Sequence, residues 1–309
     1  MKLLDSQKIS RQQIDPSIQN AAETISAGYL KEIVNRIAIP RHYVAEAANN
    51  RYIRDLIFQE LEAFEYVVSF QGIHDNIVAY PKPLKANEPV ILVGAHYDSV
   101  PFSPGADDNA SAVAALLACA RSLSRLNVSY PVCFLAFNRE EEHFLGSRDF
   151  VRTGLPEIEI SVAEAHIFEM VGYCGDQKVP SGLPIRLPKQ GDFLGVLGNR
   201  RSNHLIKPLL ALAAGYLPGF QVLGLQVYLG AERVFPVLKR SDHVPFWSIG
   251  LPALMWTDTA EFRNPNYHKR TDTPETLDYD FLRSVTQLAL LRILTFEPNR
   301  LFWERKLQT

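Results

Sequence analysis

The sequence has few cysteines, no long unbroken apolar run and almost no net charge. Three cysteines are too few for a disulfide framework and favour a reducing compartment. The most apolar stretch, residues 205–229, is interrupted by prolines and glycines, so we expect no membrane-spanning segment. A net charge of -2 offers no bulk attraction for nucleic acid or an anionic membrane. Because the first residues also lack the apolar core of a secretory signal, we expect a cytoplasmic protein.

The composition is that of a globular protein with a large core. The chain has 309 residues, of which 47% are apolar and 21% are charged. It shows no Ser/Gly linker, charge block or internal repeat. We therefore expect one catalytic domain over residues 1–309, with an N-terminal helical segment at residues 1–65.

Short apolar runs alternate with segments of helical periodicity. The predicted strands are Val67–Phe70, Ile77–Tyr80, Val90–Ala95, Val132–Asn138, Ala165–Val171, Phe193–Leu197, Gln221–Val227 and Ala253–Met255. The predicted helices are Ser26–Ile37, Asn49–Ala63, Ala110–Leu126, Phe144–Arg152, Ser202–Ala214, Val244–Ile249 and Tyr279–Leu294. The alternation predicts a three-layer α/β/α fold with a mainly parallel mixed sheet of about eight strands. Such sheets bind ligands beyond the carboxyl ends of their strands.

Residues that can bind metal follow several of these predicted strands. His96 and Asp98 come directly after the strand at residues 90–95. An imidazole at this place can ligate zinc, and the carboxylate can orient the ring. Alone the pattern is weak, because a surface histidine after a buried strand explains it as well.

Two adjacent aspartates, Asp107 and Asp108, precede the helix predicted from Ala110. An acidic helix cap accounts for one of them. Two neighbouring carboxylates repel each other and favour a nearby cation. We take Asp107 as the candidate ligand.

More carboxylates follow the next two strands. Glu140, Glu141 and Glu142 come after the strand at residues 132–138, where a solvated helix start is the ordinary explanation. At this sheet edge, however, one carboxylate can bind metal while its neighbour accepts a proton from water. Glu169 follows an apolar run, and an unpaired acid buried there is costly unless a metal ion compensates it.

A second imidazole, His268, lies beside Tyr267 in a loop rich in proline and asparagine. The candidate ligands are then His96, Asp107, Glu141, Glu169 and His268. Two imidazoles and three carboxylates suit two metal ions that share one carboxylate. Nitrogen and oxygen donors without thiolates favour zinc, and manganese or cobalt could also be bound.

The order of these motifs resembles the zinc exopeptidase family of bacterial leucyl aminopeptidase and glutamate carboxypeptidase, which also includes glutaminyl cyclases. The similar motifs are Ala95-His96-Tyr97-Asp98-Ser99, Gly105-Ala106-Asp107-Asp108-Asn109-Ala110-Ser111, Glu140-Glu141 with Leu145-Gly146-Ser147, and Tyr267-His268-Lys269-Arg270-Thr271-Asp272-Thr273. The similarity extends from about residue 90 to residue 277. It leaves the first ninety residues and residues 176–239 uncovered.

The resemblance implies two zinc ions bridged by Asp107. His96 and Glu169 would complete one site, and Glu141 and His268 would complete the other. It further implies a cis peptide bond directly after Asp107.

The resemblance also implies roles for three further residues. Glu140 would be the general base, Asp98 would orient the first imidazole, and Tyr267 would stabilise the oxyanion.

Two departures from the family stand out. The family more often has aspartate where this chain has Glu169. The run of three glutamates, residues 140–142, also leaves open by one residue which glutamate is the base and which is the ligand. Counting back from Leu145 favours Glu140 as base.

The resemblance implies an aminopeptidase that removes the N-terminal residue of peptides. A single-zinc glutaminyl cyclase and a carboxypeptidase are the alternatives, although the latter group usually carries further domains. A binding protein that has lost its metals is a third alternative. It is opposed by the presence of a metal-binding residue at every ligand position of the family. Asp242, after Ser241, is either part of a helix start or a catalytic aspartate. We expect the loops at residues 175–192 and 230–239 to wall the substrate pocket.

Overall fold

A nine-stranded mixed sheet organises the protein. The computed structural model describes residues 1–82, 84–85, 88–126, 128, 130–176, 187–188 and 190–297. The strands are β1 (Lys2–Asp5), β2 (Val67–Gln71), β3 (Asn76–Tyr80), β4 (Pro89–His96), β5 (Val132–Phe137), β6 (Ser161–Phe168), β7 (Gly175–Asp176), β8 (Gln190–Gly191), β9 (Phe193–Gly198), β10 (Gln221–Gln226) and β11 (Ala253–Thr257). Strands β7 and β8 form a separate two-stranded ladder.

The helices fall between these strands. They are α1 (Pro16–Glu23), α2 (Ala27–Ile37), α3 (Ala47–Ala63), α4 (Ala112–Leu123), α5 (Leu145–Asp149), α6 (Leu155–Ile158), α7 (Asn203–Tyr216), α8 (His243–Ser248) and α9 (Tyr279–Leu294). Two wider turns, Ala106–Ser111 and Phe150–Gly154, adjoin α4 and α5.

The strand order in the large sheet is β1-β10-β9-β11-β6-β4-β5-β3-β2. The four central strands β11, β6, β4 and β5 are mutually parallel. Strand β9 runs antiparallel to β11, and β10 runs parallel to β9. Antiparallel strands flank the sheet at both edges. The carboxyl ends of the four central strands therefore meet at one edge, where ligands bind in sheets of this kind.

Helices cover both faces of the sheet. On one face α4 lies against the central strands β4 and β5 and packs on α2 and α9. On the other face α8 packs against β6 and β11 beside the buried segment around Phe150. Strand β4 is buried on both sides over Val90–His96, which explains its nearly continuous apolar run. This architecture confirms the predicted three-layer α/β/α class.

All eight predicted strands are present, with ends that differ by a few residues. The largest difference is at β6, which begins four residues earlier than predicted and ends before Glu169. The N-terminal segment predicted as helical contains α1, α2 and α3, but residues 2–5 form the antiparallel edge strand β1 against β10. Four residues with a single apolar pair carry too little periodicity to be recognised as a strand. Helix α1 was not predicted either.

Among the described residues, every helix is too short or too polar to span a lipid bilayer.

The small-residue helix α4 should be the most sensitive part of the core. Leu117 is fully buried between the sheet and the outer helices. We expect Leu117→Ala to lower the free energy of unfolding by about 2–5 kcal/mol, because the cavity adds to the lost transfer free energy. The matched control is Ile73→Ala at a side chain that is 84% exposed. Urea denaturation should show a change within about 0.5 kcal/mol for this control, and an equal loss in both variants would contradict the assignment.

Candidate metal centre

The parallel central strands bring the metal-compatible residues to one edge of the sheet. His96 is the last residue of β4, and Glu169 directly follows β6. Glu140 and Glu141 follow β5 within four residues. His268 lies in the loop after β11. His96 and His268, 172 positions apart in the sequence, thus meet because their strands end side by side.

Three of these side chains form a first cluster. His96, Glu140 and Glu169 are buried, and their donor atoms lie within 4.8 Å of one another. The Nε2 atom of His96 is 3.4 Å from Oε2 of Glu169 and 3.9 Å from Oε2 of Glu140. This is the environment expected for the first metal site and its base, although Glu140 and Glu169 could each supply the ligand.

A second cluster lies beside it, formed by Asp108, Glu141 and His268. The Nε2 atom of His268 is 3.2 Å from Oδ2 of Asp108 and 3.2 Å from Oε2 of Glu141. The ring of His268 is about one-third exposed, so this cluster faces solvent while the first is enclosed.

Asp108 connects the two clusters. Its Oδ1 atom is 3.3 Å from Nε2 of His96, while its Oδ2 atom faces His268 at 3.2 Å. One carboxylate oriented towards two imidazoles is the arrangement that a bridging ligand needs. The placement of Asp107 at this position is therefore wrong.

The carboxylate of Asp107 points instead into the protein. Its Oδ1 accepts hydrogen bonds from the backbone N–H of Gly172 and the hydroxyl of Ser111, and its Oδ2 accepts one from Nδ2 of Asn264. The backbone of Asp108 is non-helical, with φ -104° and ψ 84°, which turns adjacent side chains in different directions. The cis peptide bond lies between Asp108 and Asn109, one residue later than predicted.

Asp98 connects the first imidazole with the glutamates. Its Oδ1 is 3.4 Å from Nδ1 of His96 and also accepts a hydrogen bond from the backbone N–H of Glu140. Its Oδ2 accepts from the backbone N–H of Glu141. The geometry agrees with the predicted orienting role and adds a second one, since the same carboxylate fixes the backbone that presents both glutamates.

Asp272 has a similar role on the other side, and sequence reasoning missed it. Its carboxylate accepts hydrogen bonds from the backbone N–H groups of Asp107 and Asp108, at 3.0 and 3.1 Å. It lies in the same loop as His268, within the motif quoted above. An acid four residues after a candidate ligand was the available signal.

The segment before α8 supports Glu169. The hydroxyl of Ser241 donates a 2.6 Å hydrogen bond to Oε2 of Glu169. Asp242 makes no side-chain capping bond with α8 but accepts a 2.5 Å hydrogen bond from Ser147. Burial raises the pKa of Asp242 to about 7. Asp242 therefore does lie at the start of α8, but its carboxylate belongs to the acidic surroundings of the first cluster.

The donor set fits divalent cations. The two ring nitrogens of His96 are fully buried and find no hydrogen-bond partner among the described residues, although carboxylate oxygens lie 3.3–3.9 Å away. Burial lowers the pKa of His96, but the charges of Glu169 and Glu140 raise it by more, to well above its usual value. Burial raises the pKa of Glu141 to about 7. Protons therefore compete with metal for these sites.

Asp108 shows the opposite shift. Burial raises the pKa of this carboxyl, but the two imidazoles lower it by more, so that it stays below its usual value. A carboxylate that remains ionised between two nitrogen donors is suited to bridge two cations.

Tyr267 lies at the mouth of the centre. Its ring stacks on His268 with 3.7 Å between centroids, and its hydroxyl accepts a 3.2 Å hydrogen bond from Nη2 of Arg240. Arg240 also pairs with Glu261. The phenol is therefore held beside the second cluster in a fixed orientation.

An apolar cavity of about 110 Å³ opens beside Glu169 and Tyr267. Its lining includes Leu3, Leu197, Leu225, Met255 and Phe262. Leu187 and Leu238 contribute from the two loops that were expected to wall a pocket, although residues 177–186 and 189 lie outside the described residues. A cavity of roughly 150 Å³ accepts benzene, so this one has room for one side chain.

The sequence profile of peptidase family M28 matches residues 76–206 and 220–292. The chain belongs to peptidase family M28. This confirms the exopeptidase family inferred from the motifs and the class of enzyme, a metallopeptidase. Arg41 and Leu3 lie outside the region that this M28 profile covers.

Two known proteins are similar in sequence. The uncharacterised protein YfbL of Escherichia coli is 33% identical over 229 residues, covering 69% of this chain and 68% of that protein. Aminopeptidase YwaD of Bacillus subtilis is 31% identical over 219 residues, covering 69% of this chain. The aligned region spans 43% of the length of YwaD.

Solved structures show the same fold. LapA of Legionella pneumophila superposes with a TM-score of 0.74 at 18% identity, over 93% of this chain and 77% of that one. A zinc aminopeptidase from Bacillus subtilis gives 0.55 at 27% identity, over 71% and 49%. A glutaminyl cyclase from Porphyromonas gingivalis gives 0.64 at 20% identity, over 87% and 98%. The fold is therefore shared by both reaction classes.

Replacing each aspartate in turn distinguishes the role of Asp108 from that of Asp107. We expect Asp108→Asn to weaken zinc binding by more than about 100-fold, because both clusters lose their shared anion. Asp107→Asn is the matched control, since it changes an adjacent buried acid that contacts neither imidazole. It should change the affinity by less than about 10-fold. Competition with a chromophoric zinc chelator measures both, and the reverse ranking would restore Asp107 as the bridge.

Proposed function

We propose that the protein is a two-zinc aminopeptidase that removes apolar residues from the free N-terminus of peptides. The observation that carries this proposal is the pair of three-residue clusters joined by Asp108. His96, Asp108 and Glu169 would hold one ion, and Asp108, Glu141 and His268 would hold the other. When bound, two such ions supply Lewis acidity and lower the pKa of water.

Glu140 is placed to move the proton. It is buried in the first cluster, 3.9 Å from Nε2 of His96, and is not a member of the second ligand set. Burial raises the pKa of Glu140 well above its usual value. A carboxyl group with a raised pKa holds a proton more firmly than an exposed one, so it can accept a proton from water and return it to the leaving amine.

Two further groups assist this reaction. The phenol of Tyr267, held by Arg240 and by stacking on His268, would donate a hydrogen bond to the oxyanion of the tetrahedral intermediate. Asp98 would keep His96 and the backbone of both glutamates in place.

The apolar cavity supports the substrate class. It adjoins Glu169 and Tyr267, so a side chain seated in it would place its own backbone at the clusters. Its walls are mainly aliphatic and aromatic, and the cation at its rim, Arg240, is paired with Glu261. An N-terminal leucine or similar residue fits these walls better than the free carboxylate that a carboxypeptidase must bind.

The second cluster favours peptidase over cyclase chemistry. A cyclase of this fold is expected to work with one zinc ion, whereas Asp108, Glu141 and His268 form a second complete ligand set. The cytoplasmic location expected from the sequence stays a prediction.

The deciding experiment uses mass spectrometry of a mixed pool of peptides with free N-termini, some beginning with glutamine, incubated with the zinc-loaded protein. Sequential loss of apolar residues from the amino end supports the proposal and ranks the preferred side chains. Loss of ammonia from the glutamine peptides alone would replace it with a cyclase. Release of residues from the carboxyl end would replace it with a carboxypeptidase.

Glu140→Gln tests the base. The amide cannot accept the proton, so kcat should fall by about 100-fold or more, the usual contribution of a general base. Zinc content, measured by elemental analysis, should remain that of the unchanged protein. Glu142→Gln is the control, because Glu142 pairs with Arg139 outside both clusters. Unaltered turnover in Glu140→Gln would refute the assignment.

Phe262→Ala tests the pocket. Removing this ring from the wall should enlarge the cavity and shift the preference from leucine towards larger aromatic N-terminal residues. A loss of about 1–3 kcal/mol in transition-state binding of small apolar side chains corresponds to about 10–200-fold in kcat/KM. The control is Phe70→Ala, at a ring that is 46% exposed and does not line the cavity. Identical substrate rankings for the two variants would show that the cavity does not select the side chain.

A further inference from the structure

Arg41, in the connection between α2 and α3, is a completely buried cation. In the described part of the chain, the hydrogen bonds of its guanidinium all go to backbone carbonyl oxygens. A buried charge without such compensation would be costly. The carbonyl groups that accept hydrogen bonds from the guanidinium therefore show which part of the fold depends on Arg41.

Two of those carbonyls, from Ile37 and Ile39, lie at and just after the end of α2. The other three lie at both ends of the segment that leads from the first ligand to the bridging ligand. The Nε atom donates a 2.6 Å hydrogen bond to the carbonyl of Tyr97, directly after His96. At the other end of the segment, Nη1 donates to the carbonyl of Pro104 and Nη2 donates to that of Gly105 at 2.9 Å. One rigid planar group thus fixes the two ends of the loop at residues 97–105.

The loop is further fitted to this side chain. The backbone N–H of Arg41 donates to the hydroxyl of Ser99, which donates in turn to the carbonyl of Ser103. Gly105 has a φ of +57°, and a Cβ added there would lie 3.1 Å from both terminal nitrogens of Arg41. It would also lie 2.2 Å from the carbonyl oxygen of Asp108. Glycine is required because guanidinium, loop and bridging residue approach one another closely.

The charge of Arg41 also matters at this place. Burial lowers its pKa to about 10, so it remains charged at neutral pH. Asp108, Asp98, Asp272 and Glu141 all attract it. It is a permanent cation on the protein side of the carboxylates.

We propose that Arg41 is a positioning residue of the metal centre, which holds His96 and Asp108 at their mutual distance before any ion binds. It acts through the loop at residues 97–105 and does not touch the ions or the substrate. This inference rests on the proposed metal centre.

Arg41→Lys distinguishes the effect of the guanidinium hydrogen bonds from the effect of the positive charge. Lysine keeps the positive charge but offers three donors on one nitrogen, whereas arginine offers five in a planar fork, so it cannot reach both ends of the loop. We expect zinc affinity to fall by about 10–100-fold, as for other residues that orient metal ligands. We also expect kcat to fall while KM changes little. Arg41→Met, which removes the charge as well, should bind zinc no better.

Arg292→Lys is the matched control. Arg292 is a mostly buried arginine that pairs with Glu164, five residues and roughly 16 Å of strand before Glu169. The zinc affinity of Arg292→Lys should stay within about threefold of the affinity of the unchanged protein. Zinc affinities are measured by competition with a chromophoric chelator, at a temperature well below the unfolding transition. Circular dichroism checks that each variant is folded.

The outcomes separate the two proposals. If the unchanged protein binds no zinc, the metal centre itself is refuted and the role of Arg41 falls with it. If the unchanged protein binds zinc and folded Arg41→Lys binds it equally well, the positioning role alone is refuted. An equal loss in Arg292→Lys, or failure of both Arg41 variants to fold, would reduce Arg41 to a residue for folding and overturn its assignment.

Discussion

The crowding of carboxylates at one edge of the sheet is the constraint on which the rest of the site depends. Nine acidic side chains there are buried: Asp98, Asp107, Asp108, Glu140, Glu141, Glu169, Asp242, Asp258 and Asp272. Burial raises the pKa of most of them, because each ionised carboxylate is removed from water and repelled by the others. Such a cluster is stable as a set of anions when cations occupy it. The unpartnered nitrogens of His96 point to the same conclusion.

The surrounding structure divides these acids into ligands and supports. The carboxylate oxygens of Asp98 and Asp272 accept hydrogen bonds from backbone N–H groups and so fix the backbone of the residues that present the ligands. Asp107 is bound by Gly172, Ser111 and Asn264. Asp108, Glu141 and Glu169 are left with oxygens facing imidazoles. Hydrogen bonds from the protein to Asp98, Asp107 and Asp272 therefore distinguish these supporting acids from the candidate ligands.

The N-terminal region also reaches the site. The family profile begins at residue 76. Before it, β1 brings Leu3 into the wall of the apolar cavity, and the α2–α3 connection brings Arg41 behind the loop that joins His96 to Asp108. Residues outside the matched region therefore contribute to the surroundings of the candidate metal centre.

The sequence by itself determined the class of fold, because buried parallel strands leave continuous apolar runs, and most of the candidate ligands, because they follow those runs. It indicated the family through the order of its motifs, which resemble those of the zinc exopeptidases. His96, Glu141, Glu169 and His268 were identified in this way, and the structure brings them together. The choice between Asp107 and Asp108 was decided by tertiary structure, since adjacent residues are equivalent in a sequence pattern and a non-helical backbone turns one of them inward. Arg41 and β1 were also beyond prediction. Their partners lie more than 50 residues away, so no local periodicity records these contacts.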